Sequence, residues 1–275
     1  MISFPLLLGG FFAIVFWPGG GPYLFLAAST LMIYAVTFEL LKLVERLDLP
    51  SFPKLTGISV ALFFLLTALH SMRLTPGVVS AGLLLLVMLL YAGWVGLLFG
   101  RDRAVFFKKF MVSLGVGVVM IATFIPLVLV YFHPFGPIKL LFLVLVTKMM
   151  DTGGYIAGML SAKYLPGGNH KIAPAISPKK SWEGLGGGLL LSMTAALIFY
   201  GFTDYFEYRG FWWCAAAGLL LAGGSFAGDL TESALKRAGG AKDSGGCIPG
   251  MGGVFDVLDS FIYNGILFYI LTRIF

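Results

Sequence analysis

Apolar residues fill this chain in long unbroken runs, not in the spacing of an element with one wet face. The runs cover roughly residues 4–17, 22–42, 54–71, 77–99, 108–132, 136–160, 184–203, 211–236 and 254–275. About 20 residues of helix cross the hydrocarbon core of a bilayer, and apolar runs of about 18 or more read as spanning helices. Strands of a membrane barrel would alternate apolar and polar residues. These runs are apolar on every side, so the pattern predicts an all-α polytopic integral membrane protein with about nine transmembrane helices. The first run is short. It has no basic flank, and Trp17-Pro18 followed by glycines is no small-residue cleavage site, so it reads as a short first membrane helix and not as a signal peptide.

Composition agrees with the pattern. Of 275 residues, 59% are hydrophobic and 12% charged, where a soluble domain carries about 25% charged residues. Two cysteines, Cys214 and Cys247, supply neither a disulfide framework nor metal-ligand spacing. The net charge of +6 comes from loops, where Lys and Arg suit anionic headgroups or phosphate; no nucleic-acid partner is implied.

The basic residues also orient the chain. Of 19 Lys and Arg, 14 fall in alternate loops: Lys42, Arg46 and Lys54; Arg101, Arg103, Lys108 and Lys109; Lys163, Lys171, Lys179 and Lys180; Lys236, Arg237 and Lys242. The other loops and the C-terminal end hold Arg73, Lys139, Arg209 and Arg273, and Lys148 lies inside a span. Basic loops face the cytoplasm, which predicts a cytoplasmic N-terminus. Residues 1–135 read as an N-terminal membrane region of about five spans. Residues 136–275 read as the region that carries chemistry, with long Gly-, Pro- and Lys-rich cytoplasmic loops at 161–183 and 237–253. Loops of this kind carry function more often than they merely connect.

Ionisable side chains inside spans are costly and tend to face a cavity. Here Lys148 and Asp151 lie in the sixth run, Asp229 and Glu232 in the eighth, and Asp256 and Asp259 at the start of the ninth. Only Glu39 belongs to the N-terminal half, where it is expected to snorkel or pair near a helix end. Lys148 and Asp151 share a helical face, as do Asp229 and Ser233, while Glu232 and Lys236 suit an i,i+4 pair. Asp256 and Asp259, three apart, repel unless a cation lies between them, and clustered carboxylates suit Mg²⁺ held together with phosphates. The glycines at 245, 246, 250, 252 and 253 let backbone N–H groups approach a phosphate. No Walker-type loop is present. His170 reads as a lone loop histidine without a ligand role, Lys163 and Lys171 as headgroup contacts, and Cys247 as lacking anything to activate it.

At this point a resemblance enters. The stretch from Ser233, SALKRAGGAKDSGGCIPGMGGVFDVLD, resembles the signature of the phosphatidate cytidylyltransferase family, the CDP-diacylglycerol synthases. Ser233, Lys236, Arg237, Lys242, Asp243, Pro249, Gly250, Gly252, Gly253, Asp256 and Asp259 fall in register with it. GDLTES (228–233), ISPKKSWEG (176–184) and DTGGYIAG (151–158) also resemble family segments. Met251 stands where the family usually has histidine, and Val257 where it usually has arginine. The resemblance implies transfer of a cytidylyl group from CTP to phosphatidic acid, giving CDP-diacylglycerol and pyrophosphate, at the cytoplasmic face of the inner membrane. It implies catalytic roles for Asp229, Ser233, Lys236, Asp256 and Asp259. Substrate binding falls to Asp151, Lys179, Lys180, Glu183, Arg237, Lys242, Asp243, Gly252 and Gly253. Mg²⁺ is expected on Asp229, Asp256 and Asp259, with a second cation allowed, and the resemblance is compatible with a homodimer. Competing readings are a CTP-dependent polyprenol-type kinase, an ether-lipid cytidylyltransferase, a transporter and a non-catalytic paralogue.

Overall fold

The computed structural model describes residues 3–72, 93, 96, 102–248, 250 and 252–274, with side chains from residue 9 to residue 273. Its helices are α1 (Ser3–Phe16), α2 (Gly21–Glu45), α3 (Pro53–Ser71), α4 (Arg103–Tyr131), α5 (Gly136–Tyr164), α6 (Trp182–Phe202), α7 (Asp204–Arg209), α8 (Phe211–Ala238), α9 (Val254–Leu258) and α10 (Phe261–Ile274). Strands β1 (Lys171–Ala173) and β2 (Ser177–Ser181) form one antiparallel pair. Among the described residues, seven segments are long and apolar enough to cross a membrane. The protein is an all-α polytopic integral membrane protein. The 14-residue α1 is shorter than a spanning helix, and the expected run at 77–99 lies outside the described residues, apart from helical Gly93 and Gly96.

Local chemistry sets the helix starts. Proline occupies the first turn of α2, α3 and α5, where its missing N–H costs nothing. Asp102 caps α4 by accepting from the N–H of Ala104 and Val105 at 3.1 and 3.2 Å. Ser181 caps α6 by accepting from Gly184 N–H at 3.1 Å.

Two departures from the sequence expectation are physical. The 161–183 loop is no plain connection: it holds the β1–β2 hairpin, and Asn169 ties it to α5 through the Gly158 carbonyl at 2.8 Å. The ninth run is not one helix. It breaks after Leu258, where the Asp259 carboxylate accepts from both the backbone N–H and the hydroxyl of Ser260, so a side chain takes the place of a helical acceptor.

The chain divides into two compact units, residues 1–132 with 235–258, and residues 133–234 with 259–275. In the first, Phe25 stacks on Tyr131 with ring centroids 4.0 Å apart, and the Tyr131 hydroxyl donates to Ile14 O at 2.9 Å, fastening α1. The Phe52 N–H donates to the Ser113 hydroxyl at 2.8 Å, joining α3 to α4.

In the second unit, Phe142 is fully buried among Phe199, Phe206 and Phe268. Asn264 on α10 donates to Thr147 Oγ1 on α5 and to Leu221 O on α8, both at 2.9 Å. Inside a bilayer, helices gain little from hydrophobic exclusion and depend on close backbone contact. Gly153 of α5 lies against Gly187 of α6, and a Cβ at Gly153 would stand 2.6 Å from the Gly187 carbonyl oxygen. A Cβ at Gly188 would meet Met150, and one at Gly218 would come within 3.0 Å of Ala196 Cβ. Gly186 and Gly223 face open space.

This gives a paired test. Gly187→Leu should lower the thermal unfolding midpoint in detergent strongly, since overpacking costs about 1–3 kcal/mol or more. Gly186→Leu should leave the midpoint nearly unchanged. Equal effects would contradict the packing described.

Candidate active site

Helix α8 carries Asp229 and Glu232 three residues apart, hence on one face. The break between α9 and α10 places Asp259 beside them, and one carboxylate oxygen from each of Asp229, Glu232 and Asp259 lies within 4.8 Å of the others. Glu232 and Asp259 are buried, at 2% and 7% exposure. The close approach depends on Gly228: any Cβ there would overlap the Asp259 backbone carbonyl. Three hard oxygen donors at this spacing fit a divalent cation. Ser233 donates to Asp229 Oδ1 at 3.4 Å.

Lys180 closes one side. Its Nζ lies 2.9 Å from Asp229 Oδ2, donates to Phe226 O at 3.2 Å, and sits 4.3 Å from the centre of the Phe226 ring. Strand β2 positions it: SPKKS runs extended into the Ser181 cap, presenting Lys180 half-buried and Lys179 exposed. A cavity of about 530 Å³ opens here, lined by Asp151, Lys171, Lys179, Lys180, Ser181 and Asp229, with Met150, Tyr155, Met159, Leu185 and Phe226 as its apolar wall. Lys148 pairs with Asp151 at 3.1 Å, and Ser225 also donates to Asp151 at 3.4 Å. Glu183 accepts from the His170 N–H at 3.1 Å and lies 2.6 Å from the His170 ring nitrogen, so both are engaged in holding the hairpin. Lys171, expected as a headgroup contact, lines the cavity.

The first unit holds the rest of the expected set. Lys236 Nζ is 2.8 Å from Asp256 Oδ1. Asp256 also accepts from Ser244 N–H at 3.1 Å and from Gly253 N–H at 2.7 Å, which folds the glycine segment around its carboxylate. Gly252 takes a φ of +90°, a conformation that suits only glycine. Arg237 donates to Ala241 O at 3.4 Å, while Lys242 and Asp243 are exposed. Val257 lies in α9, and Met251 and Pro249 lie outside the described residues.

Two acids have roles the sequence reading did not assign. Glu232 suits a pair with Lys236 four residues on, and it also shares a helical face with Asp229 three residues before it. Glu39 was placed near a helix end, but α2 runs on to Glu45, six residues further, or about 9 Å. Glu39 is 4% exposed. It accepts from the Phe255 N–H at 2.9 Å and from the Ser244 hydroxyl at 3.3 Å, and Gly245 and Gly253 pack directly on it. The carboxylate also holds the exposed Cys247 thiol above its ordinary pKa, first through a hydrogen bond from the thiol, then by burial and by Glu39's negative charge.

An integral membrane protein with clustered carboxylates and a lysine-lined cavity is the class that fold and site define. The model of the Cytidylyltransferase family matches residues 1–275, and the chain belongs to that family. Over 124 residues it is 40% identical to proteins named phosphatidate cytidylyltransferase from Staphylococcus epidermidis and Staphylococcus saprophyticus, and 38% identical to one from Staphylococcus aureus. Each match covers 45% of this chain and 45% of the relative.

The Glu39 arrangement makes a chemical prediction. Glu39→Gln removes the charge that disfavours the thiolate, so the Cys247 pKa falls and maleimide labelling at pH 8 should speed up severalfold. Cys214 is buried and should not interfere. An unchanged labelling rate would contradict the contact.

Proposed function

We propose that this protein transfers a cytidylyl group from CTP to phosphatidic acid, releasing pyrophosphate and leaving CDP-diacylglycerol in the membrane. The observation that carries the reading is the carboxylate cluster of Asp229, Glu232 and Asp259 beside a cavity with three lysines, Lys171, Lys179 and Lys180, and an apolar wall. Such a cavity suits a substrate with a phosphate head and acyl tails, and its volume is ordinary for a small-molecule site. Family membership and the names of the relatives support the same chemistry.

In the reaction, a phosphate oxygen of phosphatidic acid forms a new bond to the α-phosphorus of CTP. The bond from that phosphorus to the β-phosphate bridging oxygen breaks, and pyrophosphate carries away the charge. Both reactants are anions, so the protein's first task is to reduce their repulsion; positioning and electrostatics supply most of the rate in phosphoryl transfer. Lys171, Lys179 and Lys180 bind phosphate oxygens at the cavity. Lys180 is pre-aligned by Asp229 and the Phe226 carbonyl, so little ordering remains to be done on binding. Lys236, Arg237, Lys242, Gly252 and Gly253 are assigned to the nucleotide phosphates, with Asp256 orienting Lys236 and the loop amides. Asp151, Glu183 and Asp243 are assigned to substrate positioning.

Asp229, Glu232 and Asp259 would hold a divalent cation, Mg²⁺ in this reading. When bound, the cation neutralises phosphate charge. The 14 basic residues of alternate loops favour a cytoplasmic site in the cell membrane, where CTP is available and phosphatidic acid lies in the adjoining leaflet.

The test is pyrophosphate release by the purified full-length chain in liposomes. Release should require CTP, phosphatidic acid and a divalent cation together. Asp256→Asn should reduce it at least about a hundredfold, the loss expected for a key electrostatic group, in protein that still unfolds cooperatively. Formation of CDP and a phosphorylated polyprenol would favour the kinase. CTP-independent uptake would favour a transporter, and CTP binding without release a non-catalytic paralogue.

A further inference from the structure

The second unit carries a separate charged cluster at the other end of its helices. Asp229 lies eighteen residues beyond Phe211 on α8, a separation of about 27 Å along the axis. That is close to the roughly 30 Å of a bilayer core. At the Phe211 end, three helix termini bring together Lys139 from the start of α5, Arg209 from the end of α7 and Arg273 from the end of α10. Of the four basic residues that the sequence puts on the sparsely charged face, these are the three inside the described residues, and they converge on one place.

The contacts show the convergence. Lys139 is 2% exposed. Its Nζ sits 3.2 Å from His133 Nδ1 and 4.6 Å from the centre of the Tyr205 ring. Arg209 lies 5.3 Å from the same ring centre and donates to the Tyr205 hydroxyl and to Thr272 O, both at 3.0 Å. The His133 pKa is lowered first by burial, then by the charge of Lys139, and also by those of Arg273 and Arg209. Among the described residues, no carboxylate forms an ion pair with Lys139, Arg209 or Arg273, although Asp204 and Glu207 share α7 with Arg209. A buried ammonium with two guanidinium neighbours and no carboxylate partner is costly. An anion supplied from outside removes that cost.

The surroundings identify the source of the anion. Tyr208 and Trp212 are 90% and 82% exposed, and Phe135, Phe202 and Phe211 are also exposed around the same helix ends. Exposed aromatic rings gathered at one level of a membrane bundle mark the headgroup layer. The cations therefore stand at the depth of lipid phosphates.

We propose that Lys139, Arg209 and Arg273 form a binding site for the phosphate of an anionic lipid headgroup, in the leaflet opposite the carboxylate cluster. Lys139 is its buried floor and the two arginines are its rim. This assignment is independent of the cytidylyl-transfer reading and stands or falls without it.

The test is native mass spectrometry of the full-length protein titrated with phosphatidylglycerol, phosphatidylcholine or inorganic phosphate, with thermal unfolding in parallel. The wild type should retain phosphatidylglycerol in preference to phosphatidylcholine and be stabilised by it. Arg273→Gln should weaken that binding about fivefold, the effect expected of one cation near a headgroup layer, and Arg273→Lys should restore most of it. Lys139→Met should act in the same direction. Unchanged phosphatidylglycerol binding in Arg273→Gln would overturn the proposal. So would stabilisation by inorganic phosphate equal to that given by the lipid.

Discussion

Carboxylate oxygens of Asp229, Glu232 and Asp259 stand within 4.8 Å of one another inside a bundle of membrane helices. Like charges at that spacing repel. The second unit is arranged so that this can happen. Gly228 removes the side chain that would hold α8 away from the turn at Asp259, and the break between α9 and α10 turns Asp259 inward. Lys180 supplies one positive charge from β2, at the boundary between the cluster and the cavity. The three carboxylates are proposed to hold a cation, and the glycine contacts between α5 and α6 hold the floor on which the cavity is built.

The first unit solves a related problem with backbone. Two of its carboxylates, Glu39 and Asp256, are surrounded by N–H donors from the glycine segment and from the start of α9. Hydrogen bonds to charged groups are stronger than neutral ones, so the carboxylates organise a segment that has few side chains of its own to pack. Glycine at 252 and 253 is required twice over, for a left-handed turn at Gly252 and for room beside Glu39 at Gly253. A loop that looks flexible in composition is therefore held from beneath by two acids far apart in sequence.

Most spans were legible because lipid leaves a helix little choice: a run apolar on all sides must satisfy its own backbone. The expected limits of α2, α3, α5, α6 and α8 fall within a few residues of those observed. What escaped depends on tertiary partners. No glycine or proline marks the break at Asp259, since a local side-chain bond makes it. The β1–β2 hairpin is short and rich in lysine, so neither period nor composition announces it. Glu39 was visible as an acid inside a span, but its partners, and Asp259 beside Glu232, come from elements that local spacing cannot connect. Asp229, Asp259 and Lys180 were read from a motif, and the structure brings these three together without the motif having implied the Lys180–Asp229 pair.

The central claim is that Asp229, Glu232 and Asp259 form a cation site. Binding of Mn²⁺ to the purified protein, followed by electron paramagnetic resonance in competition with Mg²⁺, tests it most directly and needs no substrate. The account predicts saturable binding that Asp259→Asn weakens at least about tenfold, the loss of roughly 1.4 kcal/mol, while Asp243→Asn on the exposed loop leaves it unchanged. Equal binding by the wild type and Asp259→Asn would contradict the account.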